Sequence, residues 1–313
     1  MLSFLLVVLL QTLLILALSP LIDNLASKVK AVFQSRQGPP LFQPYYDLWK
    51  HFRKAPVVSH RTSWVFRIAP YVSFAGFLAA AEFVPIAAAH PPLSFGGDFF
   101  AVIMLFTVAH VFIALAALDA SSSFGGLGSS RDITLAALAE PGLVLTVFTL
   151  AVAYGATTLG DVTDQVLLLG TRAITPTHLL LFGAVFMLTI AESGRIPIDN
   201  PATHLELTMV HEAQILEYSG KDLAVIQWGL HVKELALVAI LTNVFFPWGI
   251  ASGGLPTLAS VLIFVGKAVL AIMLIATVES FTAKWRIFRL LEYMTIAFIL
   301  AFFALLSIFI LGA

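Results

Sequence analysis

The chain has 313 residues, of which 59% are apolar and 11% are charged, and its formal net charge is -1 at pH 7. Apolar stretches of about twenty residues recur along it, which is the length that a membrane-spanning helix needs. Nothing in this composition supports nucleic-acid binding. Because the chain contains no cysteine, it cannot itself hold a disulfide, a thiolate-ligated cluster or a zinc-thiolate site, so metal redox chemistry is expected only in a partner.

Hydropathy predicts an all-α, polytopic integral membrane protein with about eight transmembrane helices. The predicted spans are Leu2–Ile22, Ile68–Ala89, Phe99–Leu118, Ile133–Gly155, Thr177–Ala191, Leu223–Phe246, Pro256–Glu279 and Leu291–Leu311. No repeat or linker divides the chain, so residues 1–313 are expected to form a single transmembrane domain. The first span lacks a basic leading region and an obvious cleavage site, which predicts a retained helix rather than a signal peptide.

The basic residues predict the orientation of the chain in the membrane. Most lysines and arginines lie in the segments that join spans one to two, three to four, five to six and seven to eight, whereas the opposite loops hold only Arg172. By the positive-inside rule, the charged segments face the cytoplasm and both termini lie outside it.

The first charged segment contains a short amphipathic stretch. Pro44–Lys54 is predicted to form an interfacial helix with Tyr45, Leu48, Trp49 and Phe52 toward lipid. Two interpretations stay open, because aromatic and basic residues collect at membrane interfaces in any case. The helix either anchors the chain at the membrane surface or forms a docking ledge for a partner.

The second charged segment, Asp119–Asp132, is rich in glycine and serine and is predicted to be a loop whose backbone can approach a partner closely. It lacks the phosphate-loop pattern, which argues against nucleotide binding. Its serines together with distant histidines do not form a convincing nucleophilic triad.

The third charged segment, Glu192–Glu212, places four carboxylates, two histidines and one arginine between two apolar helices. So many ionisable groups beside a bilayer are costly, which favours a working site over simple packing. His204, Glu206, His211 and Glu212 resemble scattered metal ligands, but the spacing of the two-histidine zinc motif is missing, and no bound metal is predicted.

Ionisable residues also lie inside the predicted spans, where a charge at mid-bilayer costs about 2.5–3.5 kcal/mol on insertion scales. His231 and Glu234 are spaced i,i+3 and share a helix face, while Lys233 points elsewhere. Such groups suit a proton relay along a protein interior or a water-filled path. The predicted relay residues are Glu82, Glu140, Glu192, Glu206, Glu212, His231, Lys233, Glu234, Lys267 and Glu279. As alternatives, Lys267 pairs with a nearby carboxylate, Lys233 and Glu279 reach toward water, and His110 is a satisfied core histidine.

Several ordered motifs resemble one family. They are Arg36-x-Gly38-Pro39, Gln43-Pro44-x-x-Asp47-x-x-Lys50, Ser130-Arg131, Glu140, Glu192-x-x-Arg195-x-Pro197-x-Asp199, Glu217-Tyr218-Ser219-Gly220, and Trp228-Gly229 with Glu234. Together they resemble the quinone-chamber subunit of respiratory complex I, from the first span to the eighth. Within that family, Asn200–Met209 and Ala283–Arg289 look closer to membrane subunits of energy-converting nickel-iron hydrogenases and formate hydrogenlyase.

The resemblance implies a non-catalytic subunit in the plasma (inner) membrane of a prokaryote. It would dock a peripheral hydrogenase arm and pass redox energy to proton or sodium translocation. Expected partners are the hydrogenase large and small subunits, iron-sulfur subunits, antiporter-like membrane subunits and the lipid bilayer, with the nickel-iron centre and iron-sulfur clusters in those partners. By position, Glu140, Glu192 and Glu234 would line the relay, with Glu206 and Glu212 near its entrance. The residues expected at the docking face are Arg36, Asp47, Arg131, Arg195 and Asp199.

Two other functions stay open on the sequence. The first is a quinone-binding subunit of a complex I-like NADH or ferredoxin dehydrogenase, which needs an apolar tunnel between the first span, the sixth span and the amphipathic segment. The second is a free-standing ion transporter, although the long charged segments favour a chain that works with partners.

Overall fold

A computed structural model describes residues 2–199, 209–251 and 257–311, and these are helical apart from turns and one isolated bridge. The helices are α1 (Leu2–Phe33), α2 (Gln43–Phe52), α3 (Trp64–Glu82), α4 (Asp98–Asp119), α5 (Ser123–Tyr154), α6 (Leu159–Leu169), α7 (Pro176–Glu192), α8 (His211–Ile215), α9 (Gly220–Ala239), α10 (Leu258–Phe281) and α11 (Ile287–Leu311). A 3-10 turn, Gly170–Ala173, precedes α7, and a π-helical turn, Ile240–Val244, extends α9.

Within the described residues, seven helices are long and apolar enough to cross a membrane: α1, α3, α4, α5, α9 with its π turn, α10 and α11. The fifth predicted span corresponds to α7, which is apolar but has only 17 residues. Each predicted span therefore coincides with a helix, and the all-α polytopic class is confirmed.

The helices pack around α9, which contacts α1, α2, α3 and α10. On one side α3 packs on α4, and on the other α7 and α11 pack on α5, with α4 joining the two groups through α5. We call the end that carries α2, α8 and the C-terminus of α7 the charged end. The opposite end, where α9 finishes and α10 begins, is the far end.

Several predicted span boundaries differ from the observed helix ends. Helix α3 ends at Glu82 rather than Ala89, because Pro85 follows closely and cannot continue a helix ladder. The released segment packs inside the protein, where Asn243 of the π turn donates to the carbonyls of Pro85 and Ile86. Helix α1 also differs from the prediction: it continues past the predicted limit of Ile22 and ends at Phe33.

The predicted glycine-rich loop is largely helix. Helix α5 already begins at Ser123, and the Ser122 hydroxyl caps it by accepting from the Gly125 amide. The glycines serve close packing: a Cβ on Gly125 would lie 2.5 Å from the Ala117 carbonyl oxygen, and one on Gly128 would lie 2.8 Å from the Ala213 Cβ. The composition thus reflects tight helix contacts, not a flexible connection.

The two nearby glycines Gly126 and Gly128 give a matched test of this packing. We expect Gly128→Ala to destabilise the protein by about 1–3 kcal/mol, because the contacts on the new methyl group include the Val210 backbone at 2.9 Å. Gly126 has nothing within 4 Å of the same position, so Gly126→Ala is expected to stabilise the helix by about 0.5–1 kcal/mol. Thermal unfolding of the protein purified in detergent separates the two. Equal melting temperatures would contradict the close α5–α8 contact.

Helix α2 coincides with the predicted amphipathic segment, and two of the four residues predicted to face lipid, Trp49 and Phe52, are exposed. The other two turn toward the protein instead: Leu48 is buried, and the Tyr45 hydroxyl donates to the Ala17 carbonyl of α1. Tyr46 is exposed in addition. The sequence pattern identified the helix, but the position of α1 and α9 beneath it decided which face is covered.

Candidate functional site

A cavity of about 460 Å³ opens at the charged end between α1, α2, α8, α9 and the C-terminus of α7. Its ionisable lining residues are Asp23, Lys30, Asp47, His51, Glu192, Arg195, Asp199, His211, Glu212, His231, Lys233 and Glu234, and its apolar ones include Leu48, Ile215 and Leu230. Seven of these, namely Glu192, Arg195, Asp199, Glu212, His231, Lys233 and Glu234, are predicted site residues from the third charged segment and the sixth span. The fold therefore brings together two regions that the sequence separates.

Arg195 forms the centre of the first ionic cluster in this cavity. It is 5% exposed, and its guanidinium donates to Glu234 and, at 3.1 Å, to Asp23. Glu279, at the end of α10, lies 3.6 Å from the same guanidinium and 2.9 Å from the Lys30 ammonium. One buried cation thus ties α1, α9 and α10 to the segment that follows α7.

His231 and Glu234, which were predicted to form a pair, are connected through Asp23 and Arg195. His231 Nδ1 lies 3.8 Å from Asp23, which is itself bonded to Arg195, and Arg195 bonds Glu234. The two residues do share a helix face, but the cation fills the space between the carboxylates. Any effect of the imidazole on Glu234 therefore passes through this cluster.

Lys233 belongs to a second cluster, behind the first. Its ammonium lies 3.0 Å from Glu192 Oε2 and 2.5 Å from His110 Nε2, while His110 Nδ1 lies 3.8 Å from the same carboxylate. Lys233 is 2% exposed, so it is buried and does not reach toward water. The expectation that His110 is only a core histidine misses its ionic neighbours, which come from α7 and α9.

Glu140 lies on the far side of this second cluster. It is near the middle of the 32-residue helix α5, and it accepts a hydrogen bond of 2.9 Å from Thr107 Oγ1. Thr107 and His110 are one turn apart on α4, a rise of about 4.5 Å. Both face neighbouring ionisable groups, so α4 links the Lys233 cluster to Glu140.

A third cluster, which we call the His211 clasp, consists of His211, Asp132, Asp199 and Lys284. His211 lies 3.2 Å from Asp132 and 3.3 Å from Asp199, and the Lys284 ammonium lies 2.6 Å from Asp199. Burial alone would lower the pKa of His211, but the carboxylates of Asp132 and Asp199 raise it above the ordinary histidine value. Burial likewise opposes ionisation of Asp199, yet His211 and Lys284 hold its pKa below the ordinary value.

The raised pKa of His211 predicts a pH-dependent stability. Charged His211 contributes fully below the unfolded pKa of about 6.5, and this contribution is lost as pH rises through the higher folded pKa. We expect His211→Gln to remove about 1 kcal/mol at pH 6 and progressively less at alkaline pH. Melting temperatures measured from pH 6 to 9 test this, with exposed His60→Gln as control. A pH-independent difference would contradict the clasp.

Two of the remaining predicted relay residues, Glu82 and Lys267, lie at the far end. Glu82, at the far end, is buried and accepts a 2.7 Å hydrogen bond from Thr12, and Lys267 contacts the end of α9. Glu206 lies outside the described residues. Among the predicted docking residues, Arg36 is exposed, Arg131 donates to the Met209 carbonyl, and Asp47 accepts from Gln43. Arg195 and Asp199 are 5% and 2% exposed, so both act inside the chain.

Sequence reasoning missed Asp23, Lys30, Asp132 and Lys284 as members of these clusters. All four lie in segments predicted to join the spans, where charged residues are normal and carry no special signal. Within the part of the chain that the structure describes, no group of three or more histidine, cysteine, aspartate or glutamate side chains is arranged to hold a metal ion.

The fold and the site define a polytopic membrane protein whose charged end encloses a cavity backed by buried ionic clusters. Residues 4–311 match the family described as NADH dehydrogenase, and the chain belongs to this family. The resemblance that its motifs predicted is confirmed.

Curated relatives come from two branches of the family. Formate hydrogenlyase subunit 4 of Escherichia coli is 32% identical over 283 residues, covering 89% of this chain and 90% of the relative. Hydrogenase-4 component C of the same organism is 32% identical over 286 residues, covering 91% and 89%. A subunit of the NADH-quinone oxidoreductase of Rubrobacter xylanophilus is 28% identical over 240 residues, covering 74% and 70%.

A solved structure shares the fold. One chain of the membrane-bound sulfane sulfur reductase, an archaeal respiratory membrane complex, superposes with a TM-score of 0.84 and covers 96% of this chain and 99% of its own length. At 22% sequence identity, this likeness concerns the arrangement of the helices.

Proposed function

We propose that this chain is the membrane-anchoring and coupling component of a hydrogenase complex of the formate hydrogenlyase type, built from several different subunits. It docks a peripheral nickel-iron hydrogenase arm at the charged end and relays redox energy to proton or sodium translocation. The relatives at 32% identity support the type of complex. The observation that carries the coupling role is the line of buried ionisable groups between the cavity and Glu140.

The relay starts at the cavity wall. Glu192 and Lys233 both line the cavity, and Lys233 also contacts His110, which does not. From His110 the line continues along one turn of α4 to Thr107 and Glu140. These contacts lead from the cavity to the middle of α5, with one turn of α4, a rise of about 4.5 Å, between His110 and Thr107.

Electrostatics supplies the coupling along this line. Unit charges 4 Å apart interact by about 4 kcal/mol at an effective dielectric constant of 20. A proton that neutralises Glu192 therefore changes the free energy of charge on Lys233 and His110, which lie within 3.0 Å and 3.8 Å of that carboxylate. The change passes to Glu140 through rearranged hydrogen bonds around α4, and antiporter-like partners beside α5 would receive it.

Docking is assigned to exposed groups of the charged end. Arg36 and the exposed face of α2, with Tyr46 and Trp49, offer a cation and aromatic side chains to a partner. Arg195 and Asp199 support this face from within, because their ion pairs hold the segment after α7 against α9 and α8. The nickel-iron centre and the iron-sulfur clusters belong to the partner subunits.

Purification of the tagged chain from its native membranes tests the proposal. We expect hydrogenase large and small subunits, iron-sulfur subunits and antiporter-like subunits to co-purify, together with nickel and iron. Mass spectrometry of the subunits and elemental analysis measure this. Isolation of the chain alone with transport activity, or with NADH-oxidising subunits and no nickel, would overturn the assignment.

The complex I-like quinone subunit is the second candidate, and one observation favours it. The cavity lies between α1, α9 and α2, where that function needs a quinone tunnel. The ionisable groups around its wall favour water and ions over a long isoprenoid chain. Quinone extracted in stoichiometric amount from the purified complex, and lost on replacing cavity-lining Leu48 by tryptophan, would support this second function.

A further inference from the structure

A second cavity lies at the far end, away from the ionic clusters. It has a volume of about 240 Å³, and its lining includes Phe182, Thr242, Lys267, Leu270, Ala271 and Leu274. Lys267 is the one ionisable residue of this lining. The groove lies between α7 and α10, with the end of α9 and its π turn as its floor.

The groove has a polar end and an apolar end. Lys267, Ala271 and Leu274 form one stripe on α10, and the rise from Lys267 to Leu274 is about 10 Å. A lysine side chain in a helix leans toward the helix N-terminus, here toward the membrane surface at the far end. Polarity therefore falls from the surface toward the membrane interior, as it does along a phospholipid.

The ammonium of Lys267 is held in place within the groove. It donates to Asn243 Oδ1 and, at 3.0 Å, to the Phe246 carbonyl. Asn243 is itself fixed, because its amide donates to the carbonyls of Pro85 and Ile86. Both described partners of Lys267 are neutral oxygens, so they satisfy two of its three donors and leave its positive charge without compensation.

The groove also opens toward lipid. Leu270 and Leu274, on its α10 edge, are 63% and 46% exposed, and α10 is a candidate membrane span. Lys267 is the tenth of the 24 residues of α10, and a lysine inside a span normally extends its head toward the membrane surface, yet this ammonium is turned inward to the π turn that follows α9. A fixed cation above an apolar groove that faces the bilayer is complementary to an anionic amphiphile.

We propose that this groove binds an anionic phospholipid, with a phosphate oxygen accepting the third Lys267 donor and one acyl chain lying along Ala271 and Leu274. The site uses groups outside the cavity at the charged end, so it stands whichever redox partners the chain has. It also gives Lys267 a lipid-binding role in place of the relay role predicted from its position in the seventh span.

Photolabelling of the purified complex in nanodiscs tests the site. The discs contain phosphatidylcholine with a small fraction of phosphatidylglycerol that carries a diazirine in the first half of one acyl chain, and labelled peptides are mapped by mass spectrometry. We expect labels on Leu270–Leu274 that are about tenfold stronger than with an equally modified phosphatidylcholine, because the charge-assisted hydrogen bond is specific to the anionic lipid.

Two variants sharpen the test. Lys267→Gln is expected to reduce phosphatidylglycerol labelling about tenfold, because it removes the cation. Ala271→Phe is expected to reduce it about as much, because the larger side chain fills the groove. Leu262→Phe, at an exposed position of α10 outside the groove, is the matched control and should label as wild type does. Equal labelling by both lipids in the unaltered complex would overturn the proposal. The absence of any label on α10, as expected if a partner subunit covers this helix, would also overturn it. Both results are read from the unaltered complex, so neither depends on the folding of a variant.

Discussion

Replacing Arg195 with alanine is expected to destabilise the protein by about 3–5 kcal/mol, which is the cost of breaking a buried ion pair by removing one partner. The guanidinium is the shared partner of Glu234, Asp23 and Glu279. Its loss leaves the carboxylates of Glu234 and Glu279 in a low-dielectric interior, where Lys30 is the remaining cation beside Glu279 among the described residues. Helices α1, α9 and α10 would then lose the ion-pair partner that they share at the charged end.

Thermal unfolding of the purified protein, and the amount of full-length chain retained in membranes, measure this effect. Arg36→Ala is the matched control, since Arg36 is an exposed arginine of the same end. Arg195→Lys should fall between the two, because lysine keeps the charge but cannot copy the forked contacts of a guanidinium. If Arg195→Ala and Arg36→Ala melt at the same temperature, the cluster does not hold the fold together.

Replacing Lys233 with glutamine is expected to lower the rate of ion uptake coupled to hydrogen turnover about a hundredfold, since positioned proton-transfer groups contribute at least that much. The substitution removes the cation that contacts both Glu192 and His110. It interrupts the proposed relay between Glu192 and His110. Hydrogen turnover with an artificial electron acceptor should persist, because the proposed function places the metal centres in partner subunits.

The measurement is ion uptake per hydrogen turned over in inverted membrane vesicles. Glu140→Gln should give the same loss, because it keeps the shape of the side chain while removing the titratable group. Lys267→Gln is the matched control: it removes another lysine of an apolar span, but one at the far end, and should leave the coupling ratio unchanged. A coupling ratio that falls equally in Lys233→Gln and Lys267→Gln would return Lys267 to the relay and argue against the lipid site.

Hydropathy and residue order were enough to predict the all-α membrane class, the approximate place of each span and the family. These features depend on local composition, because any backbone that crosses a bilayer must satisfy its own hydrogen bonds and present apolar side chains. The sequence also identified most members of the ionic clusters, since charged residues inside apolar spans stand out individually. Lys233 and Glu234 are examples.

Only the tertiary structure decided which charges meet. Arg195 was expected at a docking face, but the packing of α1, α9 and α10 around it turns it into an internal tie. His110 was expected to be a core histidine, yet α7 and α9 bring Glu192 and Lys233 against it. Such pairs join residues far apart in the chain, so the periodicity of a single helix does not predict them.

Contacts between residues far apart in the chain also explain two further cases in which local composition was insufficient for the prediction. Glycines in Asp119–Asp132 indicated a loop, but the close approach of α5 to α8 needs small residues in a helix. Lys267 and Lys233 both look like buried lysines in apolar spans, and the sequence assigned them one role. The packing of α10 beside the π turn that follows α9 separates them, because it places Lys267 in the lining of the groove at the far end and Lys233 inside the ionic clusters of the charged end.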